Sequence, residues 1–442
     1  MPLVKISCAF SPAFCLRIAS QTMYHVTRLQ NGLTVATAEM PHMASVSLGL
    51  WVGVGGRHEP KELNGVSHFI EHMLFKGTRK RSAKEISQAV EGIGGYLNAF
   101  TSEENTCFYA KARHDRFDEL LDVLMDMFLN STFDSGEIEK ERDVIKEELA
   151  MYLDQPHHHV HELLNETLWP EHPLGRSLTG TEKTLDAMGR RQLMNYQDEN
   201  YVSTTTLVVA AGNVRHDRVL KSVRQHSEKL PRGRRPHFEP FESRQDKPRI
   251  RLFPKETAQT QIALGIRACS RHDERRFPLR VLNTILGENM SSRLFQVLRE
   301  DRGLAYSIHS SLSFYDDVGT LTVSAGLDTE KLPQALKLIA RELRRCAEVL
   351  PSAAEMRRAR DYLIGQLDLS LESTENQMTW LGEQLLAYGK AISAAETKQR
   401  LSEVKPASVR SVAREFFRPE RMSLAIVSPL KDSNGLEQLL RQ

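Results

Sequence analysis

The sharpest chemical signal in this 442-residue chain is His68-Phe69-Ile70-Glu71-His72. Residues four apart stack on one face of a helix, so His68 and His72 can offer imidazole nitrogens to a single ion while Glu71 flanks the same face. Two nitrogen ligands and a carboxylate base suit a hydrolytic metal. Zinc takes nitrogen, oxygen or sulfur donors in tetrahedral geometry, and a catalytic site keeps three protein ligands and one position for water. The order H-x-x-E-H is the inverted spelling of a metallopeptidase motif. A third ligand must therefore exist, and it should come from a separate helix; the alternative is a helix with two ordinary histidines, which would carry the same letters. The stretch Glu141-Arg-Asp-Val-Ile-Lys-Glu-Glu148 offers one. Glu141 and Glu148 are about two turns apart on one face, and Glu147 points about 100° away. Taken singly, each of these glutamates is better explained by a salt-bridged surface helix.

The elements that must position these groups follow from periodicity. From Leu33 to Gly56, β-rich runs broken at Pro41 predict a pair of strands, and the histidine motif that follows predicts a helix. Ser82-Ala-Lys-Glu85 is a capping box opening a helix that ends at Gly94-Gly95. Leu97 to Ala112 reads as extended. An amphipathic helix bearing Phe117, Leu120, Leu121, Leu124 and Phe128 comes next, then one from about Ser135 to Leu153, and the strand Leu207–Ala211 closes the half. The second half repeats the order. It has a strand at Ile262, a helix from Pro278 to Leu286, a strand pair between Gly303 and Ala325, helices at Glu330–Leu350 and Ala353–Leu371, and a last strand at Leu424. Gly287 lies 210 residues after Gly77, and Leu424 lies 217 after Leu207.

So constant an offset predicts an internal duplication. The expected fold class is α+β, with two homologous domains, each a mainly antiparallel sheet packed with helices. The expected divisions are an N-terminal extension (1–23), a metal-binding domain (24–229), a linker (230–249) and a homologous domain without the motif (250–442). The linker is rich in proline and charge and reads as a solvated tether, with its RGRRP run as an alternative anionic docking site. Aligning the halves places Ala359 and Gln366 where Glu141 and Glu148 stand, and Pro278, Val281 and Leu282 where His68, Glu71 and His72 stand. All five groups are missing together, as expected if one half holds a metal and the other only the fold.

Composition narrows the function classes. With 59 Lys+Arg against 57 Asp+Glu, the net charge of +2 excludes a dedicated polycation, and no nucleic acid partner is expected. No uninterrupted apolar run reaches the ~18 residues of a membrane-spanning helix. Cys8, Cys15, Cys107, Cys269 and Cys346 are odd in number and scattered, which reads as free thiols in a reducing compartment. The cytoplasm is the expected location, with the periplasm, secretion or the mitochondrial matrix as alternatives if residues 1–22 form a targeting segment. His157, His158 and His159 are consecutive, face different ways, and argue against a second metal there. Cys107 lacks an activating base and reads as a buried inert thiol.

The segments HFIEHMLFKGT, ERDVIKEEL and LREDRGLAYS resemble the pitrilysin, insulin-degrading enzyme and mitochondrial processing peptidase family of zinc metallopeptidases, in particular its members of this size. The likeness runs from about Tyr24 to the end. It implies one Zn2+ per chain held by His68, His72 and Glu148, the last lying 76 residues after His72. It also implies Glu71 as general base, Glu141 as a carboxylate behind the ligands, Arg299 binding a substrate carbonyl and Tyr306 donating to the tetrahedral intermediate. Without the resemblance, Arg299 reads as a helix-surface charge and Tyr306 as a strand residue.

Substrate main chain is expected along Leu97-Asn98-Ala99-Phe100, since an unpaired strand edge offers alternating N–H and C=O groups to an extended peptide. An ordinary paired strand fits the same letters. Larger family members close a chamber from four such domains, so the resemblance implies two chains, a homodimer or a heterodimer with a related subunit. Each site would combine His68, Glu71, His72 and Glu148 of one chain with Arg299 and Tyr306 of the other. The expected activity is zinc-dependent endoproteolysis of unfolded peptides or presequences inside that chamber. The alternative is a non-catalytic structural or partner subunit, although such relatives lose ligands from the motif.

Overall fold

The computed structural model describes residues 23–441 apart from 229, 243 and 244, so the expectations for residues 1–22, with Cys8 and Cys15, lie outside the described residues. The first half runs β1 (Tyr24–Arg28), β2 (Thr34–Glu39), β3 (Ser45–Val52), α1 (Val66–Leu74), α2 (Ala83–Glu91), β4 (Tyr96–Thr101), β5 (Thr106–Arg113), α3 (Phe117–Asn130), α4 (Ser135–Asp154), α5 (Pro156–Leu168), α6 (Glu182–Ala187), α7 (Arg190–Asn200), β6 (Thr206–Gly212) and α8 (His216–Ser227). The second half runs β7 (Arg249–Pro254), β8 (Thr260–Ala268), α9 (Arg276–Asn283), β9 (Ala305–Phe314), β10 (Gly319–Leu327), α10 (Leu332–Glu348), α11 (Ala353–Ser370), α12 (Thr374–Tyr388), α13 (Ala394–Ser402), α14 (Pro406–Phe416), β11 (Met422–Ser428) and α15 (Leu436–Arg441).

The duplication is visible in strand order. The first sheet is β1-β2-β6-β3-β5-β4 and the second is β7-β11-β8-β10-β9, so removing β1 makes the two orders correspond strand for strand. Each sheet is antiparallel except for one parallel pair, β2 with β6 and β7 with β11. The α+β reading with two mainly antiparallel sheets therefore holds. Among the described residues, no helix is long and apolar enough to cross a membrane.

Strand alternation decides what covers each face. In β3, Val46, Leu48, Leu50 and Val52 point into a core shared with α1 and α3, while Trp51 points the other way. That other face is covered by α12, a helix of the second half, through Met378, Leu381 and Leu385. The exchange is reciprocal. In β8 and β11, Ala263, Ala425 and Val427 face α5 of the first half, through Val160, Leu163, Leu164 and Leu168. Glycine permits the close approach in both places. A Cβ at Gly382 would overlap the Trp51 indole, and one at Gly265 would lie 2.7 Å from Leu168 Cδ1.

The described residues of the expected linker before Arg249 have no helix or strand and are mostly exposed, but aromatic side chains anchor the segment to both halves. Phe238 stacks under the Arg57 guanidinium at 3.9 Å, and Phe241 packs edge-on against Trp169 at 4.6 Å. Arg57 is 1% exposed and ties three parts of the chain together. It donates to Glu104 at 2.7 Å, to Asp317 of the second half at 2.7 Å, and to the Glu239 carbonyl of the linker at 3.1 Å. Replacing Arg57 by Met leaves Asp317 without its counter-charge, whereas Glu104 keeps Arg271, and is expected to cost about 3–5 kcal/mol in denaturant titration. Burial, the largest single influence, pushes the Asp317 carboxyl up, but the Arg57 hydrogen bond and charge together with the Phe241 N–H outweigh it and the net shift is downward. A carboxyl depressed in the folded state contributes fully above its unfolded pKa, about 3.9, and loses that contribution as pH falls below it. The difference between wild type and Arg57→Met should therefore be constant near neutrality and shrink in acid.

Candidate metal centre

Helix α1 buries Val66, Phe69, Ile70, Met73 and Leu74, which leaves His68, Glu71 and His72 on the opposite face. Its first residues are preceded by Gly65, which has φ +93° and no side chain to cap the helix. The cap comes from upstream instead. The buried Glu59 carboxylate accepts from Gly65 N–H at 2.7 Å, Ser67 N–H at 2.9 Å and Asn64 Nδ2 at 3.1 Å. Three donors meeting this carboxylate at the helix N-terminus anchor the turn that carries the two histidines. Sequence reasoning missed Glu59. The available signal was the absence of any Ser, Thr, Asp or Asn at the N-cap itself.

Helix α4 begins on an Asp134 cap, which accepts from Gly136 and Glu137 N–H. Arg142 then fixes the helix rotation by donating to the Leu185 and Met188 carbonyls at 3.0 and 2.8 Å. With that rotation, Glu141 and Glu148 face α1, and Glu147 is exposed.

The structure brings His68, His72 and Glu148 together. One donor atom from each lies within 4.8 Å of the others, a grouping found nowhere else among the described residues. Glu148 Oε2 is 3.7 Å from His68 Nε2 and 3.6 Å from His72 Nε2. Those separations are too long for hydrogen bonds. They match the roughly 3.4 Å expected between two ligands on one tetrahedral ion with bonds of about 2.1 Å. The donor set is also zinc's usual one, two imidazoles and a carboxylate. Burial, reinforced by the neighbouring His72, pushes His68 down to about 4, so its lone pair is free at neutral pH. Burial opposes protonation of His72 as well, but Glu148 and Glu141 outweigh it and hold that ring above its usual value. Glu148 is held below the ordinary carboxylate range by His72. The His68 Nδ1 is buried without a partner, whereas His72 Nδ1 faces Glu141 Oε2 at 3.1 Å.

Glu71 points beside this group. Thr101, the last residue of β4, donates to its Oε2 at 2.6 Å, and burial pushes its carboxyl up. Leu97, Asn98, Ala99 and Phe100 lie in β4, the edge of the first sheet, which pairs with β5 on one side and with no described strand on the other. The Arg299 guanidinium sits 5.7 Å above the Tyr306 ring, so the structure places these two together. Arg299 lies in a π-helical turn, Phe295–Glu300, and Tyr306 near the start of β9 is 76% exposed. Neither makes a hydrogen bond, ion pair or ring contact with His68, Glu71, His72 or Glu148. His157 and His158 pack ring against ring at the start of α5, while His159 is buried against Phe253. Cys107 is fully buried beneath α12, and burial drives its thiol far above the usual range.

Known proteins resemble this chain over most of its length. Residues 34–182 match the family described as insulinase (peptidase family M16), and residues 187–363 match the one described as the peptidase M16 inactive domain. The chain is 39% identical to the uncharacterized zinc protease YmxG of Bacillus subtilis, over 90% of this chain and 97% of that protein. It is 38% identical to an uncharacterized zinc protease of Mycobacterium tuberculosis, over 94% and 95% of the two chains. Among solved structures, a protease from Helicobacter pylori superimposes with a TM-score of 0.86, at 22% identity, over 92% of this chain and 99% of that one. With relatives this similar over nine tenths of its length, and with its metal-type donors confined to the half that matches the insulinase description, the chain belongs to peptidase family M16.

Proposed function

We propose that the chain is a zinc-dependent endopeptidase that hydrolyses unfolded peptides, with one zinc per chain held by His68, His72 and Glu148. The convergence of these three donors from two helices is the observation that carries this reading. Zinc held there would supply Lewis acidity for the scissile carbonyl and acidify a water molecule.

The chain's own residues do the rest. Glu71, with one carboxylate oxygen occupied by Thr101, uses the other to take a proton from the attacking water. As the new C–O bond forms and the C–N bond breaks, Glu71 returns that proton to the departing nitrogen. Peptide main chain adds to the free edge of β4 at Leu97–Phe100, where backbone hydrogen bonds bind extended chains with little side-chain preference. Arg299 binds a substrate carbonyl and Tyr306 donates to the developing oxyanion. That neither contacts the donor group within its own chain supports a site completed by a second chain. In a homodimer, each subunit would lend Arg299 and Tyr306 to the other, and the enclosed space would admit unfolded peptides.

Metal analysis combined with peptide digestion tests this reading. Purified protein should hold about one zinc per chain and cleave an unstructured peptide. Chelation should stop cleavage, and added zinc should restore it. Protein that folds, carries no zinc and takes none up would instead be a structural or partner subunit.

A further inference from the structure

Four residues beyond His72, just past the last turn of α1, Lys76 reaches across to α4. Its Nζ lies 2.6 Å from Glu141 Oε1, while the other oxygen of the same carboxylate, Oε2, is 3.1 Å from His72 Nδ1. The Lys76 backbone is itself tied down, its N–H donating to the Met73 carbonyl at 3.1 Å. The Glu141 side chain is only 7% exposed, and each of its oxygens has one partner. Without Lys76, Oε1 has no donor, and rotation of the carboxylate is opposed only by the single bond to the ring.

We propose that Lys76 is a positioning residue of the metal centre. By holding Glu141 Oε1, it fixes the carboxylate so that Oε2 receives the Nδ1–H of His72 and the ring presents Nε2 to the ion. The physical basis is that a carboxylate accepting the second N–H of a metal-bound imidazole sets the tautomer and orientation of the ring. Loss of such an outer partner typically costs 10–100-fold in metal affinity. Here the orienting carboxylate is itself oriented, by an ammonium carried just beyond the C-terminus of the helix that bears the imidazole. Because the three groups lie on two helices, the bridge also holds α1 against α4 at the level where Glu148 must meet both histidines. This inference rests on the zinc reading above.

Competition with a chromophoric chelator tests it, using the full chain as wild type, Lys76→Met, Lys76→Arg and Glu141→Gln, and the Lys76→Met/Glu141→Gln double variant. Lys76→Met should bind zinc about tenfold more weakly or worse. Lys76→Arg, which keeps a cation within reach of Oε1, should lie within about threefold of wild type. In the Glu141→Gln background, Lys76→Met should change affinity by less than about twofold, because the two substitutions remove one device. The visible spectrum of the cobalt-substituted protein should shift in Lys76→Met and return in Lys76→Arg. Wild-type affinity in Lys76→Met overturns the proposal. So does a loss of affinity that merely follows a lower melting temperature of the metal-free protein. Wild-type protein that binds no zinc defeats the functional reading itself, a result distinct from either of these.

Discussion

Glu71→Gln is expected to retain about one zinc per chain while losing peptide hydrolysis by a factor of about 10²–10⁴, the range for removal of a general base. The substitution is nearly isosteric and leaves the ligands His68, His72 and Glu148 in place. The new amide can still accept the Thr101 hydroxyl hydrogen bond, made at 2.6 Å in the wild type. What it removes is the oxygen that accepts the proton from water. Measuring zinc content and kcat/KM on an unstructured peptide separates the two quantities. Undiminished hydrolysis would remove Glu71 from the mechanism, and loss of zinc would make it a structural residue of the site.

The same variant reports on the second chain. Arg299 lies over the Tyr306 ring, and neither residue makes a hydrogen bond, ion pair or ring contact with the donor group. Glu71→Gln chains mixed with Arg299→Ala/Tyr306→Phe chains should therefore recover about one quarter of wild-type activity. Half of randomly formed dimers are mixed, and each mixed dimer holds one complete site of two. If both sets of residues served the same chain's own site, mixing would restore nothing.

A chain ending at residue 228 is expected not to fold stably on its own, and neither is one beginning at Arg249. The first sheet would lose Met378, Leu381 and Leu385 from the face that carries Trp51, Leu207 and Val209. At about 1.5–3 kcal/mol for each buried apolar side chain, that face forfeits several kcal/mol, roughly the whole stability of a typical domain. The second sheet would lose Val160, Leu163, Leu164 and Leu168 in the same way. Circular dichroism and dye binding on the separate halves, and on the two co-expressed, check this. Co-expressed halves should assemble. A cooperative melt from the first half alone would show that α12 is dispensable. Gly382→Val tests the same interface at one position, because its side chain would collide with the Trp51 indole.

Much of the site was legible because it is local. The spacing of His68, Glu71 and His72 is a property of one helix, and helical periodicity fixes which face they share. The capping box at Ser82 and Glu85 was legible for the same reason, and it opens α2 as expected. The duplication was legible because two stretches obeying one packing plan carry similar patterns at similar offsets. Glu148 lay beyond local rules. Its face on α4 was predictable, but its role came from its absence in the second half and from family likeness. Glu59, Arg57 and Lys76 were overlooked because charged residues are expected at the surface, and only a completed fold shows that Glu59 and Arg57 find enough partners to be buried and that Lys76, partly exposed, reaches Glu141.

The amino-acid order by itself therefore determined many of the strands and helices, though not α5 or α12, the repeat, and the type and spacing of the candidate metal donors on α1, since each depends on neighbours within a few turns of chain. Tertiary structure alone decided that α5 and α12 cross to the opposite sheets. An apolar helix stripe matches any apolar sheet face, and the choice rests on shape, such as the room left at Gly265 and Gly382. It also decided that Glu148 stands 3.6–3.7 Å from two imidazoles, a distance set by the packing of two helices that Glu59, Arg142 and Lys76 hold in register.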